Sequence, residues 1–222
     1  MIFHHFEQLE DRVLLAASVF QKGSVLMVSG TGAADQIDIT GTGLGDVVVD
    51  IDNDGRPAFN FSGVESIKIN LKGGGDELNV NALQISGKLE ANMGGGNDEV
   101  RIFDSSIGSL SIITGGGADE VALVGLSTTG NVYVNTGGGN DEVDLGSTGN
   151  GATVGTNNIG GNLEVLTGGG SDEFEIGMNT ISGTAVINGG GGRDELNANN
   201  AAGAFSNALP FALTSIEDLS DF

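Results

Sequence analysis

The stretch Val132-Tyr133-Val134-Asn135-Thr136-Gly137-Gly138-Gly139-Asn140-Asp141-Glu142-Val143-Asp144-Leu145 decides the fold. Apolar residues alternate with other types at 132 and 134, three glycines and an Asp interrupt them, and alternation resumes at 143 and 145. A period of two on both sides of a glycine turn reads as strand, turn, strand. The same pattern recurs around Asp76, Asp98, Asp119, Asp172 and Asp194, with Asp-to-Asp steps of 22, 21, 22, 31 and 22 residues. One unit is therefore 21 or 22 residues, lengthened once.

Aligned on the Asp, the apolar columns are continuous. Nine residues before it stand Ile67, Leu89, Leu110, Val132, Leu163 and Ala185, and seven before stand Ile69, Ala91, Ile112, Val134, Val165 and Ile187. Two after it come Leu78, Val100, Val121, Val143, Phe174 and Leu196. A unit this short cannot bury its apolar edge alone, so successive units must stack, with equivalent residues about 4.8 Å apart. The expected architecture is all-β: a single-stranded, right-handed parallel β-helix or β-roll-like solenoid of seven or eight coils, with N- and C-terminal caps.

The expected organisation has four parts. Residues 1–19 form an N-terminal segment and residues 20–66 a β cap of hairpins, since an open solenoid end exposes unpaired strand edges. Residues 67–204 form the solenoid, with the Gly/Asn/Thr-rich stretch 149–161 read as a loop inserted in one coil. Residues 205–222, with Phe205, Leu209, Phe211, Leu213 and Ile216, close the far end.

The chain has 222 residues, 40 of them Gly, 2 Pro and no Cys, and 30 Asp+Glu stand against 8 Lys+Arg for a net charge of −22. Clustered glycines with almost no proline exclude collagen. The acidic balance excludes nucleic acid and anionic membrane as partners and points to cations. No apolar run is long enough to span a bilayer as a helix, and the absence of cysteine removes disulfides and thiolate chemistry.

Glycine runs permit positive φ and carbonyls directed into a bend. Such carbonyls, together with one carboxylate per turn, form the hard oxygen set that suits Ca²⁺, which takes six to eight oxygen ligands. Six turns give five inter-coil positions, or four if the lengthened step breaks the stack.

The turns resemble the calcium-binding nonapeptide G-G-x-G-x-D-x-U-x of RTX (haemolysin-type) repeat proteins. Gly189-Gly190-Gly191-Gly192-Arg193-Asp194-Glu195-Leu196 carries every fixed position. Met93, Thr114, Thr136 and Thr167 replace the first glycine in four other turns, Leu71 and Lys72 replace the first two at Asp76, and Gly30 to Ile37 is a degenerate copy with Asp35. RTX rolls have two such turns per coil, whereas this chain has one. The resemblance implies Ca²⁺ between coils, with carboxylate ligands from Asp76, Asp98, Asp119, Asp141, Asp172 and Asp194. It also implies carbonyl ligands from Gly74, Gly95, Gly96, Gly116, Gly117, Gly138, Gly139, Gly169, Gly170, Gly190 and Gly192.

Near the start, Leu9-Glu10-Asp11-Arg12-Val13-Leu14-Leu15 resembles the L-E-x-R-x-L-L segment of exported or surface proteins of planctomycete bacteria. It implies a secreted or cell-surface location, with cell-surface polysaccharide or other surface proteins as further partners.

Catalysis is not expected. Arg12, Lys22, Arg56, Lys68, Lys72, Lys88, Arg101 and Arg193 are scattered, His4 and His5 precede the repeats and read as a terminus, and no G-x-S-x-G elbow is present. The Glu column at 77, 99, 120, 142, 173 and 195 reads as an outward, solvated face, and Arg193 as a solvated charge. The alternatives to a calcium-loaded structural or interaction module are a polysaccharide-binding or lyase-like β-helix, or an ice- or surface-binding ladder made by Thr114, Thr136 and Thr167.

Overall fold

The computed structural model describes residues 17–52, 57–146, 155–197, 205–206, 211–216 and 218–220, and they form a parallel β-solenoid without a helix. The strands that precede the glycine turns stack in one parallel ladder. Its members are Val25–Ser29, Ser66–Asn70, Gln84–Gly95, Ser106–Gly116, Val132–Gly138, Leu163–Leu166, Ala185–Asn188 and Phe211–Thr214. The strands that follow the turns stack in a second ladder through Gln36–Gly43, Glu77–Asn81, Glu99–Phe103, Glu120–Val124, Glu142–Leu145, Glu173–Ile176, Glu195–Asn197 and Asp218–Ser220.

Register follows the alternation. In Glu99–Phe103 the second and fourth residues, Val100 and Ile102, are buried while the other three are partly exposed. Val100 stands opposite Leu78 on one side and Val121 on the other. A slip of one residue would turn that apolar column outward, so the core holds the register. Each fully buried Val, Leu or Ile in such a column contributes about 1.5–3 kcal/mol.

A third side closes each coil. Ser127–Thr128, Asn157–Ile159, Asn179–Ile181 and Phe205–Ser206 pair in parallel below the first residues of Ser106–Gly116. The ladder from Gln84–Gly95 to Ser106–Gly116 shifts register between Ile107 and Ser109, and this irregularity bends the long strand from the third side onto the first.

The insertion is shorter than the composition suggests. Asn157–Ile159 lies inside the stretch read as a loop, yet it is a strand of the stack, and Asn157 and Ile159 are buried. Leu126 N–H donates to Asn157 Oδ1 across 31 residues, and the Asn157 amide donates to Asn179 Oδ1 across 22. The additional residues therefore fall between Gly146 and Asn157. The reason is local: a buried asparagine that serves the backbone of its neighbours looks, in sequence, like loop chemistry.

Both ends continue the stack as well as cover it. Ser18–Lys22 pairs antiparallel with Val25–Ser29, and Gln36–Gly43, Asp46–Ile51 and Phe59–Phe61 form an antiparallel meander. Val25–Ser29 and Gln36–Gly43 also pair in parallel with the next coil, so the N-terminal cap is half hairpin and half coil. At the other end Phe211–Thr214 and Asp218–Ser220 extend both ladders, and Leu213 and Ile216 pack on the core. Residues 1–16, which hold the export-like segment and His4 and His5, lie outside the described residues.

Candidate metal-binding edge

All six glycine turns lie on one edge of the solenoid, between the first and second ladders. Inward positions run at nine, seven and five residues before each Asp, then at the Asp itself and at two and four after it. The Asp side chains accordingly point inward. Asp35, Asp76, Asp98, Asp119, Asp141, Asp172 and Asp194 are all buried, none more than 4% exposed.

They form a column tied rung to rung. The N–H of Asp35 donates to Asp76 Oδ1 at 2.8 Å, that of Asp76 to Asp98 at 2.8 Å, and that of Asp98 to Asp119 at 2.8 Å. The series continues from Asp119 to Asp141 at 3.0 Å, Asp141 to Asp172 at 2.9 Å and Asp172 to Asp194 at 3.0 Å. The Asp carbonyls from Asp35 to Asp172 in turn accept the N–H of the Glu one coil on, as from Glu99 to Asp76 at 2.8 Å. One carboxylate oxygen per turn thus repairs the strand ladder at the corner, and Asp35 is its first rung.

The second oxygen divides the column. Thr114 Oγ1 donates to Asp119 Oδ2 at 2.6 Å, and Thr136 Oγ1 donates to Asp141 Oδ2 at 2.6 Å. Thr31 N–H donates to Asp35 Oδ2 at 2.7 Å. The Oδ2 atoms of Asp76, Asp98 and Asp172 are buried with no hydrogen-bond partner. Burial raises the Asp76 carboxyl to about 6; the Asp35 N–H opposes this, and the charges of Asp98 and Asp35 add to it. Burial also raises Asp98 and Asp141, with the Thr136 hydroxyl opposing the shift at Asp141.

The glycines come to the same edge. Their N–H groups donate along the axis: Gly74 to Gly95, Gly96 to Gly116, Gly117 to Gly138, Gly139 to Gly169 and Gly170 to Gly191, at 2.8–2.9 Å. The carbonyls of Gly95, Gly116, Gly138 and Gly169 therefore already accept one hydrogen bond each. The carbonyls of Gly74, Gly96, Gly117, Gly139 and Gly170 abut the glycine one coil on, ending at Gly192, and Gly190 sits against the carbonyl of Gly168. Gly96 shows the requirement: its φ is +133°, and a Cβ there would overlap the Gly74 carbonyl oxygen.

Among the described residues no three acidic or histidine side chains converge as a metal-holding group. Any cation on this edge must take its remaining ligands from carbonyls, which have a second lone pair.

Several features of the edge were not read from the sequence. Asn97 Oδ1 accepts the N–H of Ala118, and Asn140 Oδ1 that of Ser171, each at 2.9 Å. Thr114, Thr136 and Thr167 are fully buried, so they form no exposed ladder for ice or another surface. Parity explains the correction, since five residues before the Asp is an inward position like seven and nine.

The Glu column does face outward. Glu77, Glu99, Glu120, Glu142, Glu173 and Glu195 stand in register, partly or fully exposed. Arg101 pairs with Glu99 and with Glu120. Burial, then the charges of Glu120, Glu173 and Glu175, raise the Glu142 carboxyl.

No family model, curated protein or solved structure matches the chain. No helix among the described residues is long and apolar enough to cross a membrane.

Proposed function

We propose that this chain is a calcium-binding β-solenoid that acts, secreted or at the cell surface, as a structural or interaction module rather than as an enzyme. One observation carries the reading: a column of buried Asp side chains in which Asp76, Asp98 and Asp172 each keep an oxygen with no donor. Burying a carboxylate without a partner costs several kcal/mol unless the group is neutralised or paired. These oxygens are acceptors by chemistry, and no Lys or Arg is bonded to them. The donor set fits a hard cation. A bound Ca²⁺ would supply the positive charge that the column lacks, while the Asp and glycine groups hold and orient it. The glycine-turn motif and the export-like segment support the same reading.

Circular dichroism and thermal melting in EDTA, then in millimolar Ca²⁺, test it. Each site held at one hundred times its Kd adds about 2.7 kcal/mol to folding, so the melting temperature should rise steeply on adding calcium. An identical spectrum and melting temperature in both conditions would sink the proposal.

A second reading, polysaccharide binding, is favoured by a groove of about 370 Å³ on the outer face of the first ladder, lined by Phe20, Met27, Lys68, Asn70, Glu90 and Asn92. Phe20 is half exposed, and the Asn70 and Asn92 amides are neighbours in register. An open ring beside amides suits a sugar face and its hydroxyls. Calorimetry with neutral oligosaccharides on the intact chain and on Phe20→Ala decides it, and absence of heat from both proteins rejects it.

A further inference from the structure

The six glycine turns look alike in sequence, but the residue five before the Asp sets what each carboxylate meets. At Asp76 and Asp98 that residue is Leu71 or Met93, fully buried and unable to donate. At Asp119 and Asp141 it is Thr114 or Thr136, with the hydroxyl 2.6 Å from Oδ2. At Asp172 it is Thr167, whose hydroxyl donates only along the axis, to the Gly189 carbonyl at 3.0 Å, whereas the Thr114 hydroxyl reaches the Thr136 carbonyl at 3.1 Å as well as Asp119. Asp172 Oδ2 then has no donor.

A hydroxyl and a cation compete for the same oxygen. A Ca²⁺ ligand lies 2.3–2.6 Å from the ion, and a hydroxyl held 2.6 Å from Oδ2 occupies space beside that oxygen and answers it without a metal. A hydrogen bond to a charged group is among the stronger ones a protein makes, and here it answers the buried carboxylate without metal. We infer that the Thr114 and Thr136 hydroxyls take the cation's place at the two central turns, so that calcium is confined to the flanking turns of Asp76, Asp98 and Asp172. This rests on the calcium reading above and divides it by position. The middle of the stack is then held by protein groups alone, and the coils on either side of it are locked by metal.

The test uses the full chain, calorimetric Ca²⁺ titration and amide hydrogen exchange in EDTA. Asp98→Asn should lower the number of ions bound and Asp119→Asn should leave it unchanged. The double variant Thr114→Val, Thr136→Val, which removes the two donors at nearly constant volume, should raise it. In EDTA, amides of 120–124 and 142–145 should stay protected while those of 77–81 and 173–176 exchange faster than in calcium. Equal loss of ions from Asp98→Asn and Asp119→Asn overturns the division while leaving calcium binding intact. Uniform loss of protection along the stack in EDTA also overturns it. A wild-type chain that takes up no calcium overturns the calcium reading itself, and this inference with it. Should the valine variant fail to fold, the two Asn variants and the exchange profile still decide.

Discussion

Two corners of the same coil solve the same problem with different chemistry. At the corner between the second and third sides, Asn157 accepts the Leu126 N–H at 2.9 Å and donates to the Leu123 carbonyl at 2.8 Å and to Asn179 at 2.9 Å. Asn179 repeats the pattern by donating to the Leu145 carbonyl at 3.0 Å. At the glycine edge, Asp serves the neighbouring N–H in the same way but has nothing to donate. An amide is both donor and acceptor, so a column of Asn is satisfied internally and carries no charge. A carboxylate column leaves one oxygen and one charge per coil to be answered. Seven consecutive Asp residues, where Asn would repair the backbone equally well, therefore carry a demand for a counter-group that the other corner does not make.

The comparison breaks most sharply if the two chemistries are exchanged. Asn157→Asp places a negative charge beside two acceptors, the Leu123 carbonyl and Asn179 Oδ1, and removes the donors that now serve them. Denaturant melts should show a loss of about 3–5 kcal/mol, the scale of an uncompensated buried charge, and added calcium should not restore it. Recovery in calcium would mean that the second corner can also hold a cation.

Acid is the next lever, and its sign is set by burial. The folded Asp76 carboxyl is raised to about 6 from an ordinary value of 3.8, so the fold favours its protonated form. That contribution is present below the ordinary carboxylate range and is lost as pH rises through about 6. In EDTA the melting temperature should therefore increase from pH 7 to pH 5. In calcium the trend should reverse, because protons displace the ion. A metal-free melting temperature that falls between pH 7 and 5 would contradict the buried-carboxylate account.

Asp98→Asn is the gentlest exchange, because it writes the Asn solution into the Asp corner. In EDTA at pH 7 it should stabilise the chain by about 1 kcal/mol, a shift of about 2–4 °C at this size, by keeping an acceptor for the Asp76 N–H while removing the charge. The gain should shrink or invert in calcium. Destabilisation in EDTA would show that the charge is already answered within the protein.

Much of the stack was legible because the spacing of apolar residues and of glycines is the same physical constraint repeated. Ile67, Leu89 and Leu110 align in sequence because they must align in register. The inward parity of the Asp and Thr positions was written there too, yet Thr114 reads as surface chemistry until its alternation is carried through the turn. Asn157 was hidden for another reason. Its surroundings, Gly155 to Gly161, have the composition of a loop, and nothing local marks an asparagine whose three partners lie on other coils. The ends misled in the same way, since Val25–Ser29 reads as a hairpin strand and gains its parallel partner, Ser66–Asn70, only across the intervening meander.

The sequence by itself determined the repeat length, the alternation, the glycine turns and the one carboxylate each turn carries, because backbone geometry and burial act within a single coil. Only the tertiary structure decided what each carboxylate meets. Whether Oδ2 faces a hydroxyl, as at Asp119 and Asp141, or no donor, as at Asp76, Asp98 and Asp172, depends on how side chains five residues apart close over the turn and on what the next coil offers them. Those are contacts between coils, and a one-dimensional period records their spacing without their direction.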